Sequence, residues 1–203
     1  MPVRKAIPEK TVFTSLHLSA TADRRCARWL PLFELINSYN AVCKWFDVLK
    51  EAGHYIIGYT IMPNHIHAII AFNNKSKTIN SIVGNGKRFM AYDLVTALED
   101  QHQTQLLNQL KEWVNKTQQS DNKQHEVFEP SFDWKECRTE KFITQKLNYP
   151  PRRTGIHNNP CVAGLCIFPE EYKHSSAKFY ITGEQGIYPV TSFMELRDID
   201  LTK

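Results

Sequence analysis

Two histidines separated by one residue, His65 and His67, are the side chains whose type and spacing most directly indicate chemistry. They open the apolar run 65–72, which is typical of a β-strand, and side chains two apart in a strand share one face at a separation of about 7 Å. Two imidazoles on one face can chelate a divalent ion if a further ligand comes from elsewhere in the fold. The alternative is a half-buried pair bonded to the backbone, because polar groups in an apolar strand need partners.

The strands that would hold this pair are indicated by local patterns. Residues 11–19 mix β-branched and aromatic residues in rough alternation and predict a first strand. The runs 54–62 and 65–72 are apolar and flank the turn pair Pro63-Asn64. We therefore expect a tight antiparallel hairpin near the centre of a sheet.

Three stretches have helical spacing. Apolar residues from Leu32 onward predict a single amphipathic helix that ends near Gly53. A second helix is expected over 79–98, and a third over 139–149 with Thr139 as its N-cap. Strand, helix, strand, strand, helix in this order predicts an α+β fold with helices packed on one face of an antiparallel sheet.

Composition narrows the class of protein. The 203 residues are 42% hydrophobic and 23% charged, so a core can form, and collagen, solenoid arrays and wholesale disorder are excluded. The five cysteines are an odd number without a CxxC pair, which favours reduced thiols over a disulfide frame or a thiolate zinc site. No apolar run is long enough to span a bilayer or to form a signal peptide, so we expect a cytoplasmic protein without a membrane partner.

Basic side chains cluster although the net charge is only +4. Such clusters suit a nucleic-acid backbone, although solvated surface explains each residue taken singly. Trp134, in an aromatic loop, is the better candidate among the tryptophans to stack on a base. The candidate nucleic-acid contacts are Lys87, Arg88, Lys141, Lys146, Arg152, Arg153 and Trp134.

Several stretches together resemble a known family. The segment 58–67, Gly-Tyr-Thr-Ile-Met-Pro-Asn-His-Ile-His, resembles the signature of the single-tyrosine HUH transposases, particularly the REP-associated tyrosine transposase group. Lys87-Arg88-Phe89 resembles the basic helix segment of that family. Residues 145–149, 156–165 and 169–180 resemble its tyrosine helix, the tail of that helix and its closing element. The matches fall in one order over roughly residues 11–192.

The resemblance implies an activity and roles for individual residues. It implies a ferredoxin-like antiparallel sheet and an enzyme that cuts and rejoins single-stranded, hairpin-bearing DNA through a covalent 5′-phosphotyrosine. In this chain Tyr149 would be the nucleophile, and His65, His67 and Asn159 would hold Mg²⁺ or Mn²⁺. A phenol is a poor nucleophile near neutral pH, so a metal that withdraws charge from the scissile phosphate suits it. Without the resemblance, Tyr149 reads as a half-buried helix tyrosine.

One departure from the family pattern falls beside the tyrosine. The segment 150–155, Pro-Pro-Arg-Arg-Thr-Gly, separates Tyr149 from the Ile-His-Asn-Asn-Pro that would follow it directly. Two prolines end a helix, so we expect the tyrosine helix to stop near Asn148 and the spacing to Asn159 to change. His157 and Asn158 are then alternative third ligands. The insertion is either a basic loop that contacts DNA or a lesion that abolishes cleavage.

These observations define the expectations for the whole chain. We expect one HUH transposase-like domain over 1–192, with a glutamine-rich helical insertion near 99–125 and a C-terminal tail at 193–203. The expected function is a metal-dependent DNA transposase or strand-transferase. The alternative is a catalytically inactive or domesticated protein that binds hairpin nucleic acid, and a third reading is an unrelated domain with a structural histidine pair. In some members of the family one chain completes the active site, and in others two chains exchange the tyrosine helix. The resemblance therefore implies either a monomer or a homodimer.

Overall fold

A mixed set of strands and short and long helices makes up the described part of the chain. The computed structural model describes residues 12–19, 22–23, 28–73, 78–114, 123–147 and 155–196. Its strands are β1 (Val12–Ser19), β2 (Ala22–Asp23), β3 (Arg28–Trp29), β4 (Tyr55–Ile61), β5 (His65–Phe72) and β6 (Asp133–Glu136). Its α-helices are α1 (Leu32–Leu35), α2 (Asn40–Glu51), α3 (Ile79–Asp100), α4 (Thr104–Glu112), α5 (Glu140–Leu147), α6 (Asn159–Val162) and α7 (Ala177–Thr182). Two 3₁₀ turns span Ile156–Asn158 and Pro169–Glu171.

Four of these strands form one antiparallel sheet in the order β4-β5-β1-β6. The predicted hairpin is confirmed as β4 and β5, joined through Pro63 and Asn64. With α2 between β1 and β4, and α3 after β5, the chain has the strand order and helix placement of the ferredoxin-like class expected above. The fold class is therefore confirmed, and β1 and β5 are the interior strands.

The two long helices cover one face of the sheet. Leu16, Ile66 and Ile70 project from this face into a single apolar cluster with residues of α2 and α3 such as Phe46 and Leu94. Because all of these side chains are nearly inaccessible to water, their burial provides the main stabilisation of this layer.

The prediction of a single first helix is wrong, because the structure divides this stretch into α1 and α2. Asn37 between them adopts a positive φ of 49°, which asparagine tolerates better than most residues. The Ser38 hydroxyl donates to the Ile36 carbonyl, which offers the backbone an alternative to the helix. The apolar spacing continues across this break, and for that reason periodicity alone joined the two helices.

The opposite face of the sheet carries a second apolar cluster and the helix that leads toward Tyr149. Ile143 and Leu147 of α5 pack there with Phe13 and Ile69 of the sheet. The predicted N-cap of α5 is confirmed, because the Phe142 backbone N–H donates to the Thr139 side chain at 3.2 Å. The sheet is thus covered on both faces, by the two long helices on one and by α5 on the other, which corrects the expectation that the helices pack on one face only.

A β-bulge in β4 lies under α5. The register shifts between Ile56 and Gly58, so that two residues of β4 face Ile69 of β5. A Cβ atom at Gly58 would overlap with Leu147 of α5 and would lie 3.4 Å from the Ser176 hydroxyl. Glycine at this position therefore allows the Leu147 side chain to pack directly against β4.

Two further expectations concern the chain as a whole. Within the ranges described, no helix is both long and apolar enough to cross a bilayer. The division into 1–192, an insertion near 99–125 and a tail at 193–203 stays a prediction. Within it, α4 occupies part of the insertion, and Phe193 and Leu196 are buried against the second apolar cluster.

Candidate functional site

Three histidines meet on the face of the sheet that carries α5. His17 of β1 lies directly opposite His67 of β5, and His65 lies two residues earlier on the same strand. The rings of His17 and His67 stack with centroids 4.5 Å apart, and the ring of His65 is edge-on to both, at 5.1 and 4.8 Å. One nitrogen from each ring lies within 4.8 Å of the other two.

The chemistry of this donor set suits a divalent ion. Bonds of about 2.0–2.1 Å from one ion to two nitrogens hold those nitrogens roughly 3–4 Å apart, so small side-chain rotations would bring the three rings onto one ion. The sequence did not indicate His17 as a ligand, because the strand that carries the other two histidines is distant in the chain. The only local signal was that it shares a strand face with Phe13 and Ser15.

Burial keeps these rings neutral. Desolvation, followed by the neighbouring positive charges, lowers the pKa of His67 to about 2 and that of His65 to about 4. The pKa of His17 is also lowered by burial, against an opposing effect of the Asp133 carboxylate. At neutral pH each ring thus has one nitrogen with a lone pair, which is the form that binds metal ions.

Asn64 orients one of the three rings. The Nδ1 atom of His65 lies 2.6 Å from the Asn64 side-chain oxygen, in the turn between β4 and β5. Because that oxygen accepts, Nδ1 carries the hydrogen and the lone pair of His65 is on Nε2. An outer hydrogen bond of this kind fixes both the tautomer and the ring plane of a metal-binding histidine.

The three rings line an open cavity of about 610 Å³ that we call the histidine cavity. Its wall combines groups from β1, β6, α5 and α6, including one acid, two lysines and an amide. Asp133 lies opposite His17 in the register of β1 and β6, so the acid is next to the imidazoles. The polar and aromatic residues other than the histidines are Ser15, Asp133, Trp134, Lys135, Lys146 and Asn159.

The structure brings together several of the residues singled out from the sequence. His65, His67, Asn159, Lys146 and Trp134 all line the histidine cavity. Trp134 is 43% exposed, but it pairs with Leu16 across β1 and β6, so its ring lies on the face of the long helices and not on that of the histidines. Asn159 begins the short helix α6 and reaches the cavity in spite of the inserted segment that precedes it.

Other predicted contacts lie elsewhere. Lys87 on α3 donates to the carbonyl oxygens of Glu129, Pro130 and Ser131, the last two at 3.1 and 3.3 Å, so its ammonium holds the loop before β6. Arg88 on α3 and Lys141 on α5 are exposed and are not among the cavity residues. Tyr149, Arg152 and Arg153 lie outside the described residues.

His157, an alternative ligand, is instead part of a buried network. It is 1% exposed, and its Nε2 lies 2.8 Å from the Ser176 hydroxyl. That hydroxyl also accepts from the Tyr59 backbone N–H of β4 at 2.9 Å. The network therefore joins the 3₁₀ turn before α6 to the strand beneath it, and it positions the α6 wall of the cavity.

We expect this network to make the protein sensitive to acid. Burial lowers the pKa of His157 to about 3, so below pH 6.5 the unfolded chain binds a proton that the folded chain excludes. Its stabilisation is complete above pH 6.5 and is lost as the pH falls, at about 1.4 kcal/mol per pH unit. Urea unfolding of wild type and His157→Gln between neutral pH and about pH 5 measures this difference. Equal pH slopes for the two proteins would contradict the expectation.

Comparison with known proteins supports the fold. No protein-family model and no curated protein match the chain. Among solved structures, the chain is similar to a REP-associated tyrosine transposase bound to a REP hairpin. The two are 16% identical, the match covers 93% of this chain and 88% of that chain, and the TM-score is 0.53. At this identity the likeness shows that the two proteins share a fold.

Proposed function

We propose that this protein is a metal-dependent strand-transferase that cleaves and rejoins single-stranded, hairpin-bearing DNA, with Tyr149 as its nucleophile. The observation that carries the proposal is the cluster of His17, His65 and His67 in an open cavity, on the sheet face where α5 leads toward Tyr149. The shared fold with a transposase bound to a DNA hairpin supports it independently.

The cluster would hold the ion through three imidazoles. When bound there, a divalent ion would supply Lewis-acid stabilisation of charge on the scissile phosphate. The neutral state of the three rings and the hydrogen bond from His65 to Asn64 both favour this use of the cluster. Asp133, which faces His17, would accept a ring N–H or add an oxygen ligand.

The chemical step proposed for Tyr149 is an in-line displacement at phosphorus. The phenolic oxygen forms a bond to phosphorus while the bond from phosphorus to the 3′-oxygen breaks, and the phenolic proton ends on that 3′-oxygen. The products are a 5′-phosphotyrosine and a free 3′-hydroxyl. Because one phosphodiester is exchanged for another, a second 3′-hydroxyl can reverse the step and join a new strand without a nucleotide cofactor.

The wall of the cavity suits a nucleotide chain. Lys146 and Lys135 bring positive charge to it, which attracts phosphates. Trp134 is exposed on the edge strand β6 but on the face away from the histidines, so it would stack only on a base of a strand that passes around this edge. Asn159 supplies an amide beside the same opening. Arg152 and Arg153 flank Tyr149 closely in sequence and belong to the same proposed surface.

A covalent-adduct assay tests the function. The purified protein is incubated with labelled hairpin-bearing single strands and a divalent ion, and adducts that resist SDS are measured. We expect wild type to form an adduct and Tyr149→Phe to form none. Tyr92→Phe is the matched control, because Tyr92 is 60% exposed on α3, on the other side of the sheet. An adduct that persists in Tyr149→Phe excludes Tyr149 as the nucleophile.

The same assay separates the enzyme from the binding protein. Hairpin binding whose affinity falls steeply with salt, but without an adduct under any ion, would favour the inactive hairpin-binding protein. If the protein neither binds any hairpin nor forms an adduct with one, both the enzyme and the hairpin-binding protein are excluded.

A further inference from the structure

We infer that His17 completes a three-imidazole site on the sheet itself, and that this site selects late transition ions such as Co²⁺ and Zn²⁺ over Mg²⁺. The inference rests on the proposed function only for the use of the ion, and it differs from the expectation of Mg²⁺ or Mn²⁺ with Asn159 as the third ligand. It names both the ligand set and the class of ion that the histidine cavity binds.

The donor atoms determine the class of ion. Mg²⁺ takes oxygen ligands in near-ideal octahedral geometry and keeps several of its waters, so it gains little from three nitrogens. Imidazole suits zinc, copper, nickel and iron, and affinity for a nitrogen site rises along the first-row series from Mn²⁺ toward Cu²⁺. With three ring nitrogens within 4.8 Å, the cluster offers the donor set of a three-histidine zinc site. Mn²⁺ should bind more weakly than Co²⁺ or Zn²⁺, and Mg²⁺ most weakly.

The backbone holds these donors in place before any ion arrives. His17 and His67 are directly opposite each other on β1 and β5, the two interior strands of the sheet. Residues paired across an antiparallel ladder have Cα atoms about 4.5–5.5 Å apart, and neither strand can slip without reversing the faces of its apolar residues. His65 is oriented in addition by Asn64. The ligand geometry thus depends on strand pairing and not on the segment that contains Tyr149.

The site with His17 differs from the site with Asn159 because it does not depend on the segment that contains Tyr149. A third ligand from Asn159 would tie ion binding to the position of α6, which follows the inserted segment 150–155. A third ligand from β1 removes that dependence. The ion should therefore bind to the protein without DNA, and with almost the same affinity whether or not Asn159 is present.

Ion binding by the full-length protein, freed of metal with a chelator and studied without DNA, tests the inference. Titration calorimetry with Mg²⁺, Mn²⁺, Co²⁺ and Zn²⁺ measures the order of affinities, and the visible absorption of Co²⁺ reports its coordination. We expect Zn²⁺ and Co²⁺ to bind on the order of 100-fold or more tightly than Mg²⁺. His17→Gln should weaken Zn²⁺ binding by at least about 10–100-fold, the loss typical of removing even an outer partner. Asn159→Ala, the matched variant, should change it by less than about threefold.

Several results would overturn the inference. Equal affinities for Mg²⁺ and Zn²⁺, a larger loss in Asn159→Ala than in His17→Gln, or the absence of any ion binding by wild type each do so. If His17→Gln does not fold, the Co²⁺ spectrum of wild type decides, because an octahedral, oxygen-rich spectrum excludes the three-imidazole site. Failure of the proposed function is distinct, since an absent DNA adduct with intact Zn²⁺ selectivity removes strand transfer and leaves this site standing.

Discussion

Replacement of His67 by alanine is expected to weaken binding of the divalent ion by at least about 100-fold and to abolish the DNA adduct. His67 is the most desolvated ring of the three, and it contacts both of the others, stacking on His17 and meeting His65 edge-on. Its loss leaves two of the three imidazole ligands, which bind an ion more weakly than three. Calorimetry measures the affinity, and the gel assay measures the adduct.

The control for this variant is His102→Asn, which removes an exposed imidazole from the turn between α3 and α4. Asparagine tolerates the positive φ of 55° at that position, so the control should keep the fold, ion affinity and adduct of wild type. Circular dichroism checks that His67→Ala remains folded. Retention of wild-type ion affinity by a folded His67→Ala protein would show that the cluster is a structural histidine group.

A single methyl group at Gly58 is expected to cost about 1–3 kcal/mol of the free energy of unfolding, the typical penalty of overpacking. The added Cβ of Gly58→Ala would overlap with Leu147 and would have the Ser176 hydroxyl and the His157 ring 3.4 and 3.7 Å away. Relief requires the Leu147 side chain to repack or α5 to move outward, and Tyr149 lies two residues after the end of that helix. If Tyr149 is the nucleophile, the adduct should form more slowly while ion affinity stays near that of wild type.

Two comparisons make the Gly58 prediction specific. Gly84→Ala on α3 has no atom within 4 Å of the added Cβ, so it should stabilise the protein by up to about 1 kcal/mol. Leu147→Ala alone should cost about 2–5 kcal/mol, because it leaves a cavity. The double variant should cost less than the sum of the two single ones, because each change relieves the defect of the other. Strict additivity would show that α5 does not rest on Gly58. Denaturant unfolding supplies all four values.

The parts of the site that depend on local signals could be predicted from the sequence. The turn at Pro63-Asn64 and the alternation of β5 were sufficient to predict the hairpin and the shared face of His65 and His67. The N-cap at Thr139 likewise lies beside the helix that it starts. Each of these features is determined by residues within a few positions of one another.

Features that depend on pairing between distant segments could not be predicted. His17 joins the cluster only because β1 pairs with β5, and Asp133 only because β6 pairs with β1. No spacing in the sequence encodes these registers, which follow from which apolar faces are buried together. Lys87 looked like a surface cation for the same reason, because the three carbonyls that it binds are more than forty positions away.

The contacts of Lys87 join α3 to the loop that leads into the edge strand β6. Its ammonium lies on the side away from the histidines, where Phe128 and Phe132 of the same loop also pack, and this loop continues into Asp133 of the cavity wall. Loss of that positive charge, by acetylation or by substitution, would remove the hydrogen bonds that hold the loop before the edge strand β6. A change remote from every imidazole would in this way alter the cavity wall on which the proposed function places a nucleotide chain.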